Sequence, residues 1–194
     1  MPRVIAGSHR GRRLEAPAGD AVRPTADRTR EAVFNILAHA GWGEGGGSAL
    51  SGARVLDAFC GSGALGLEAL SRGAASCVFL DKNAVALDCA RRNVATLGEE
   101  GRATLIRADA LQPPVAREPA NLVFLDPPYG RELPEPALIA LAGQGWFAPG
   151  AVIVVETAER DPVPTLRFCE PLYQRRYRLT AVHFFHYRKS TEAA

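Results

Sequence analysis

The 194-residue sequence predicts an α/β fold. The expected core is a seven-stranded, mostly parallel sheet with one antiparallel strand. Two observations carry this reading. From residue 54 onward, short continuous apolar strands alternate with stretches of helical period, the pattern of parallel strands covered by helices on both faces. Near the C-terminal end two β-rich segments follow one another directly, which reads as a closing hairpin and so reverses one strand.

The elements follow in order. In "RPTADRTREAVFNILAHA", Val33, Ile36, Leu37 and Ala40 recur on one helical face, and Thr25 or Asp27 can cap its start. "GWGEGGGSALSG" reads as a mobile glycine-rich linker, placed at 43–53. "RVLDAF" is a strand, and "ALGLEALSRG" a helix closed by Gly73. "SCVFLD" is a strand, and "AVALDCARRNVATLG" a helix closed by Gly98. "ATLIRAD" is a strand with a short, proline-interrupted crossover after it. "NLVFLD" is a strand, "PEPALIALAGQG" a helix and "AVIVVET" a strand. The tail "FCEPLYQRRYRLTAVHFFHYRK" holds the last two strands. The expected division is an N-terminal basic extension at 1–42, the linker, and a main domain at 54–194.

Hydrophobic residues make up 47% and charged residues 23%, which allows one soluble domain with a sizeable core. No apolar run is long enough to span a bilayer, and "MPRVIAGSHRGRRLEAP" lacks the apolar stretch of a signal peptide. A cytoplasmic protein without membrane attachment is expected. The cysteines at 60, 77, 89 and 169 form no CxxC and have no histidine at ligand spacing, so neither metal nor disulfide is expected. Net charge is only +2, but its distribution is uneven. Arg3, Arg10, Arg12, Arg13, Arg23, Arg28 and Arg30 crowd the first thirty residues. Arg167, Arg175, Arg176, Arg178, Arg188 and Lys189 gather near the other end. Two basic flanks around a neutral body suit either a polyanion footprint or a plain solvated surface.

The first strand ends in "LDAFCGSGALG". Glycines here let the backbone approach a ligand and present N–H groups to it. Such a turn alone fits many nucleotide sites, or tight packing. Three acids narrow it. Asp57 would repel a pyrophosphate but could hold an ammonium group. Asp81 ends the second strand, where it can accept ribose hydroxyls. Asp109 ends the third. Three acids without a phosphate-binding lysine point to a cationic nucleoside, and S-adenosylmethionine fits.

The fourth strand runs into "DPPYG". Two prolines stiffen the turn and donate no N–H. An exocyclic amine on a nucleobase is a poor nucleophile, because its lone pair is delocalised. The Asp126 carboxylate and the Pro127 carbonyl could accept both of its hydrogens. That favours a pyramidal nitrogen and stabilises the charge it develops. Pro128 completes the rigid turn, and Tyr129 could stack on the base. The spot suits methylation of an amino nitrogen.

"DPPY" resembles motif IV of the amino-methyltransferases, and "LDAFCGSGALG" resembles their motif I. "GSHRGRRLEAP", "RPTADRTREAVFNIL" and "GALGLEALSRGA" are similar to the RsmD family, bacterial 16S rRNA guanine-N2 methyltransferases. The likeness covers nearly the whole chain. It implies a Rossmann-like class I methyltransferase sheet with an N-terminal β-hairpin and helix. It implies cofactor contacts from Asp57, Phe59, Gly61, Ser62 and Gly63, from Asp81 and Lys82, from Asp109 and Ala110, and from Asp126. It implies that Asp126, Pro127, Pro128 and Tyr129 hold the target guanine's amine. Where the family usually has a second acid two residues past the second strand's acid, this chain has Asn83, whose role stays open.

Arg10, Arg12, Arg13, Arg23, Thr25, Arg28 and Arg30 are expected to contact RNA. The expected partner is 16S rRNA in an assembled or assembling small ribosomal subunit, met by a monomer. A DNA adenine-N6 methyltransferase uses the same proline turn but generally needs an added recognition domain. A small-molecule or protein amino-methyltransferase fits the basic flanks less well. A non-catalytic nucleotide-binding module would not need an intact proline turn. A cytosine-C5 enzyme would want a cysteine where the prolines stand.

Overall fold

The computed structural model describes residues 2–17, 24–130 and 132–188, with the side chains of residues 24–26 not described. Asp20, Arg23 and Lys189, and the side chain of Thr25, therefore lie outside the described residues. One seven-stranded sheet organises the chain. Helix α1 spans Pro24–His39, and the first strand, β1, spans Arg54–Ala58. Then come α2 (Ala64–Ser71), β2 (Ser76–Asp81), α3 (Ala84–Leu97), β3 (Ala103–Arg107) and β4 (Ala120–Leu125). Helix α4 (Pro134–Gly143), β5 (Phe147–Ala158), β6 (Cys169–Arg176) and β7 (Thr180–Tyr187) complete it.

The strand order is β3-β2-β1-β4-β5-β7-β6. β7 runs antiparallel to both neighbours, and the remaining pairings are parallel. The closing hairpin of the sequence reading is thus present, and β7 is the one reversed strand. Strand alternation sorts the core into two layers. Val55, Phe79, Phe124, Val154, Val182 and Phe184 pack with α1, α2 and α3. Leu56, Leu80, Val123, Leu125, Ile153 and Phe185 pack with α4 on the other side.

The glycine-rich stretch expected to be a mobile linker is tied into the fold. Gly43 and Gly47 close a short turn through a 2.9 Å backbone bond, and the Ala49 amide reaches the Leu37 carbonyl at 3.0 Å. Ala49, Leu50 and Ala53 are buried, so apolar residues inside the stretch anchor it.

The N-terminal arm also belongs to the main core. An antiparallel bridge joins Arg3 to Arg13. Val4 and Leu14 are buried in the same layer as Phe34 and Phe79. The fully buried Glu68 on α2 accepts the amides of Ile5 at 2.7 Å and Ala6 at 3.0 Å, and the Arg72 Nε at 2.7 Å. His9 Nε2 lies 2.5 Å from Glu99, which Arg102 also holds. On α3, Asn93 accepts the Glu15 amide and donates to the carbonyls of Glu15 and Ser62. A buried carboxylate with this many donors is satisfied, and losing it strands them.

Gly66 is fixed by packing. A Cβ there would lie 2.4 Å from the Phe79 ring and 2.6 Å from the Cys77 sulfur. Gly66→Ala is expected to cost about 1–3 kcal/mol through overpacking, read as a fall in thermal midpoint. An unchanged midpoint would show that the Phe79 ring yields freely. Glu68→Ala is expected to cost about 3–5 kcal/mol and to expose the arm to proteolysis. Wild-type protease resistance in that variant would refute the anchoring role.

Candidate active site

The carboxyl ends of β1, β2, β4 and β5 open into a cavity of about 660 Å³ beneath α1. This volume is within the range of small-molecule sites. Its floor is the loop after β1. Asp57, next to last in that strand, is buried, and its Oδ2 accepts the Gly66 amide at 2.8 Å. The carboxyl thereby supplies the acceptor that α2 lacks at its own N-cap, Gly63. The loop turns through left-handed backbone at Phe59, Gly61 and Gly63, with φ of 62°, 54° and 79°. Phe59 is not glycine, so strain is stored beside the cavity.

Asp81 ties this loop to β2. Its Oδ2 accepts the Gly61 amide at 3.0 Å and its Oδ1 accepts the Asn83 amide at 2.8 Å. Asn83, left open by the sequence, caps α3 by accepting the amides of Val85 and Ala86. Lys82 sits on the cavity wall with its Nζ 3.1 Å from Asp109. The Leu111 amide, then Lys82, hold the Asp109 carboxyl below its usual range.

The proline turn forms the far wall. β4 and β5 pair Phe124 with Val154 and Leu125 with Val155. That register brings Asp126 and Glu156 side by side, on the face that Asp57 shares. The Tyr129 hydroxyl donates to Glu156 at 2.7 Å. Arg30 and Val33 of α1 close the roof.

The structure therefore gathers Asp57, Phe59, Gly61, Ser62, Asp81, Lys82, Asp126, Pro127, Pro128 and Tyr129 on one cavity. Three expected cofactor contacts are not on its wall. The space beside Gly63 is taken by Phe79 and Ala90 at 3.2–3.4 Å. Ala110 is buried in the α4 layer. Asp109 reaches the wall only through Lys82. Glu156 is a wall residue that the sequence reading missed. Val152 and Val154 share its face, so the two-residue period of "AVIVVET" carried the signal.

The expected RNA contacts divide too. Arg10, Arg13 and Arg28 are exposed. Arg12 is exposed but donates to the Thr96 carbonyl at the end of α3, at 2.8 Å. Arg30 is 8% exposed and donates to the Arg3 carbonyl at 2.7 Å and to Asp27 at 2.9 Å. It is a strut between the arm, α1 and the cavity. Its Nε is buried without a partner.

Charge dominates the cavity. Asp57, Asp81, Asp126 and Glu156 line it, and among the described residues Arg30 and Lys82 are its only Arg or Lys. Burial pushes Asp57 up to about 8, against the Gly66 amide, and nearby Asp81 adds to the rise. Desolvation, then the charges of Glu156 and Asp57, pushes Asp126 well above its ordinary range. Asp126 is exposed to the open cavity, so water softens this shift without reversing it. Glu156 is raised by desolvation, with Tyr129 and Thr180 opposing. Burial pushes the Cys60 thiol up, so it is no nucleophile. Among the described residues no group of three or more His, Cys, Asp or Glu could hold a metal ion. No described helix is long and apolar enough to cross a membrane.

A raised carboxyl pKa favours the folded state below the unfolded value of about 4 and loses that contribution as pH rises through the folded value. For Asp57 the window runs from about 4 to about 8. Asp57→Asn keeps an oxygen for the Gly66 amide but cannot ionise. The ligand-free wild type is expected to lose thermal stability over that window more steeply than Asp57→Asn. Parallel curves in a pH series of melts would place the titration elsewhere.

Residues 2–186 match the family model described as Conserved hypothetical protein 95. The chain is 39% identical over 165 residues to a protein of Escherichia coli strain K12 named Ribosomal RNA small subunit methyltransferase D, covering 84% of this chain and 78% of that one. The Haemophilus influenzae protein of the same name is 36% identical, covering 84% and 82%. A solved Escherichia coli chain named as a methyltransferase candidate superposes with a TM-score of 0.80 at 35% identity, covering 96% of this chain and 98% of that one. Matched by one family model along nearly its full length, and by two named members over most of it, the chain belongs to the RsmD family.

Proposed function

We propose that the chain binds S-adenosylmethionine in this cavity and methylates the exocyclic N2 amine of a guanine in 16S rRNA. The observation that carries the reading is the rigid Asp126–Tyr129 turn, set beside Glu156 on a carboxyl-lined cavity. Relatives named as small-subunit rRNA methyltransferases support the RNA substrate.

The cavity fits a cationic nucleoside, since four carboxyl groups outnumber Arg30 and a lysine already paired to Asp109. Asp81 spends one lone pair of each oxygen on a loop amide and keeps capacity for ribose hydroxyls. Asp57 and the left-handed loop at Phe59–Gly61 would face the amino-acid end. When bound, this cofactor supplies an electrophilic methyl group on a sulfonium. The Asp126 carboxylate and the Pro127 carbonyl accept the two amine hydrogens and turn the nitrogen lone pair inward. An Asp126 oxygen then takes the proton that the methylated nitrogen gives up. Tyr129 stacks on the base, and its hydroxyl bond to Glu156 holds the ring. The hydroxyl thus has a positioning role beyond the stacking expected from sequence, and Tyr129→Phe should cost more than a bare stack implies. The exposed Arg10 and Arg13 would meet RNA phosphates, with affinity that falls as salt rises.

Labelled S-adenosylmethionine, incubated with unmethylated 30S particles, protein-free 16S rRNA or duplex DNA, is expected to mark N2-methylguanosine in RNA. N6-methyladenosine in DNA would overturn the substrate. Asp126→Ala is expected to lower the rate about a hundred- to a thousandfold, with cofactor affinity nearly intact in calorimetry. A near wild-type rate would refute the geometry.

Asp126 must be ionised to accept hydrogens, so kcat/KM is expected to rise with pH along an acid limb. Glu156→Gln removes a neighbouring negative charge and leaves an acceptor for Tyr129. Its acid limb is expected at lower pH than the wild type's. An unmoved limb would detach Glu156 from the titration.

A further inference from the structure

A second recess lies on the other side of α1 from the cavity. Its volume is about 630 Å³, and it runs between α1 and β6. Arg28, Ala32, Asn35 and His39 follow one another at positions i, i+4, i+7 and i+11, a single helical stripe that lines one wall. Tyr173 and Arg175 of β6 line the other. Arg30 and Val33 face the cavity instead. One helix therefore separates the proposed active site from this groove.

The groove is chemically biased. Tyr173 is 47% exposed, with its ring 6.0 Å from Phe184 beneath it. Arg28, His39 and Arg175 stand against the single acid Glu31. Among the described residues none of these three bases is in an ion pair, and the Arg175 guanidinium lies 5.6 Å from the Tyr177 ring centre. An adjoining recess shares Arg28 and Glu31 and is lined by Arg3 and Arg10 of the arm. The two basic flanks of the sequence thus converge along α1.

The groove is also close to the chemistry. Glu156 on β5 pairs with Val182 on β7, and Val182 pairs with Arg175 on β6. Two strand spacings, roughly 10 Å, separate the Glu156 and Arg175 backbones. Paired residues project to the same sheet face, so Arg175 opens toward the side where the cavity lies.

We infer that this groove holds an unpaired nucleotide of the substrate RNA next to the target guanine. Its base stacks on Tyr173, and its phosphates meet Arg28 and Arg175. The inference rests on the rRNA reading above. An exposed aromatic flanked by cations fits a splayed RNA strand, because every base offers a π face and every linkage a charge. Drawing the target out of its stack costs a few kcal/mol, and capture of its neighbour helps offset this.

The test compares wild type, Tyr173→Ala, Tyr173→Phe and the Arg28→Ala/Arg175→Ala double variant. Each is titrated with protein-free unmethylated 16S rRNA and with unmethylated 30S particles over a salt series, with S-adenosylmethionine affinity and thermal midpoint as controls for folding. Tyr173→Ala is expected to weaken RNA binding about ten- to a hundredfold, and Tyr173→Phe to restore it. The double variant is expected to flatten the salt slope by about 1.4, from two phosphates on a single strand. Cofactor affinity is expected to stay unchanged. RNA affinity and salt slope equal to wild type in all variants would overturn the groove alone. A wild type that binds cofactor but neither protein-free 16S rRNA nor unmethylated 30S particles would overturn the substrate reading and the groove with it. Loss of methylation on 30S particles with unchanged affinity for protein-free rRNA would assign the groove to a ribosomal protein and overturn the nucleotide.

Discussion

The bond between the Asp57 carboxyl and the Gly66 amide, 2.8 Å long, fixes the end of β1 to the start of α2. Gly66 has no room for a side chain between Phe79 and Cys77, so α2 lies close against β2. With both ends held, the intervening loop must turn tightly, and Phe59, Gly61 and Gly63 take positive φ. Gly61 then presents its amide to Asp81. The contacts that let α2 pack on the sheet are those that shape the cavity floor. The arrangement has a cost, because a buried carboxyl with one amide partner resists ionisation.

The arm and the cavity are joined by a few buried polar groups. Asn93 bonds both the Glu15 carbonyl on the arm and the Ser62 carbonyl on the loop. Arg30 bonds the Arg3 carbonyl and lines the cavity. Glu68 holds two arm amides from the helix that Asp57 caps. A surface suited to a polyanion is thus built on the supports of the loop. Val4 and Leu14 add roughly 1.5–3 kcal/mol each by burial, and with these buried polar bonds they offset part of the arm's conformational entropy.

The strand pattern and most of the strand-end acids were legible in sequence, because both depend on local order along the chain. Asp57 lies one residue before the end of its strand, Asp81 ends its own, and Asp126 follows directly on β4. Glu156 was not legible alone. Its place beside Asp126 depends on the register of β4 against β5, which pairs residues thirty apart. Arg30 read as one more arm cation. Its burial depends on the Arg3 carbonyl, 27 residues away. Gly63 and Gly66 looked like ligand-approach glycines. Phe79, from the next strand, claims the space beside both. The linker misled because its glycines outweighed Ala49, Leu50 and Ala53, whose anchoring shows only once the core is assembled. In each case the sequence supplied the residue, and a non-local contact decided its role.

The cavity's acids place binding and stability in opposition. Asp57, Asp126 and Glu156 come from three adjacent strands and face the same side of the sheet, so burial first, and then the charges of Glu156 and Asp57, raise the cost of ionising Asp126. Replacing one by an apolar residue would ease that repulsion and remove an acceptor. Without a ligand, burial and this repulsion favour the protonated forms of Asp57 and Asp126. A bound cation of the kind proposed would favour the charged forms, so binding and proton release are linked. The Asp126 carboxylate proposed to accept an amine's hydrogens would then be favoured by the cofactor's arrival. Burial and like-charge crowding together would thus shift Asp126 toward its protonated form in the empty cavity and toward its charged form beside a bound cation, coupling its proposed role to occupancy of the site.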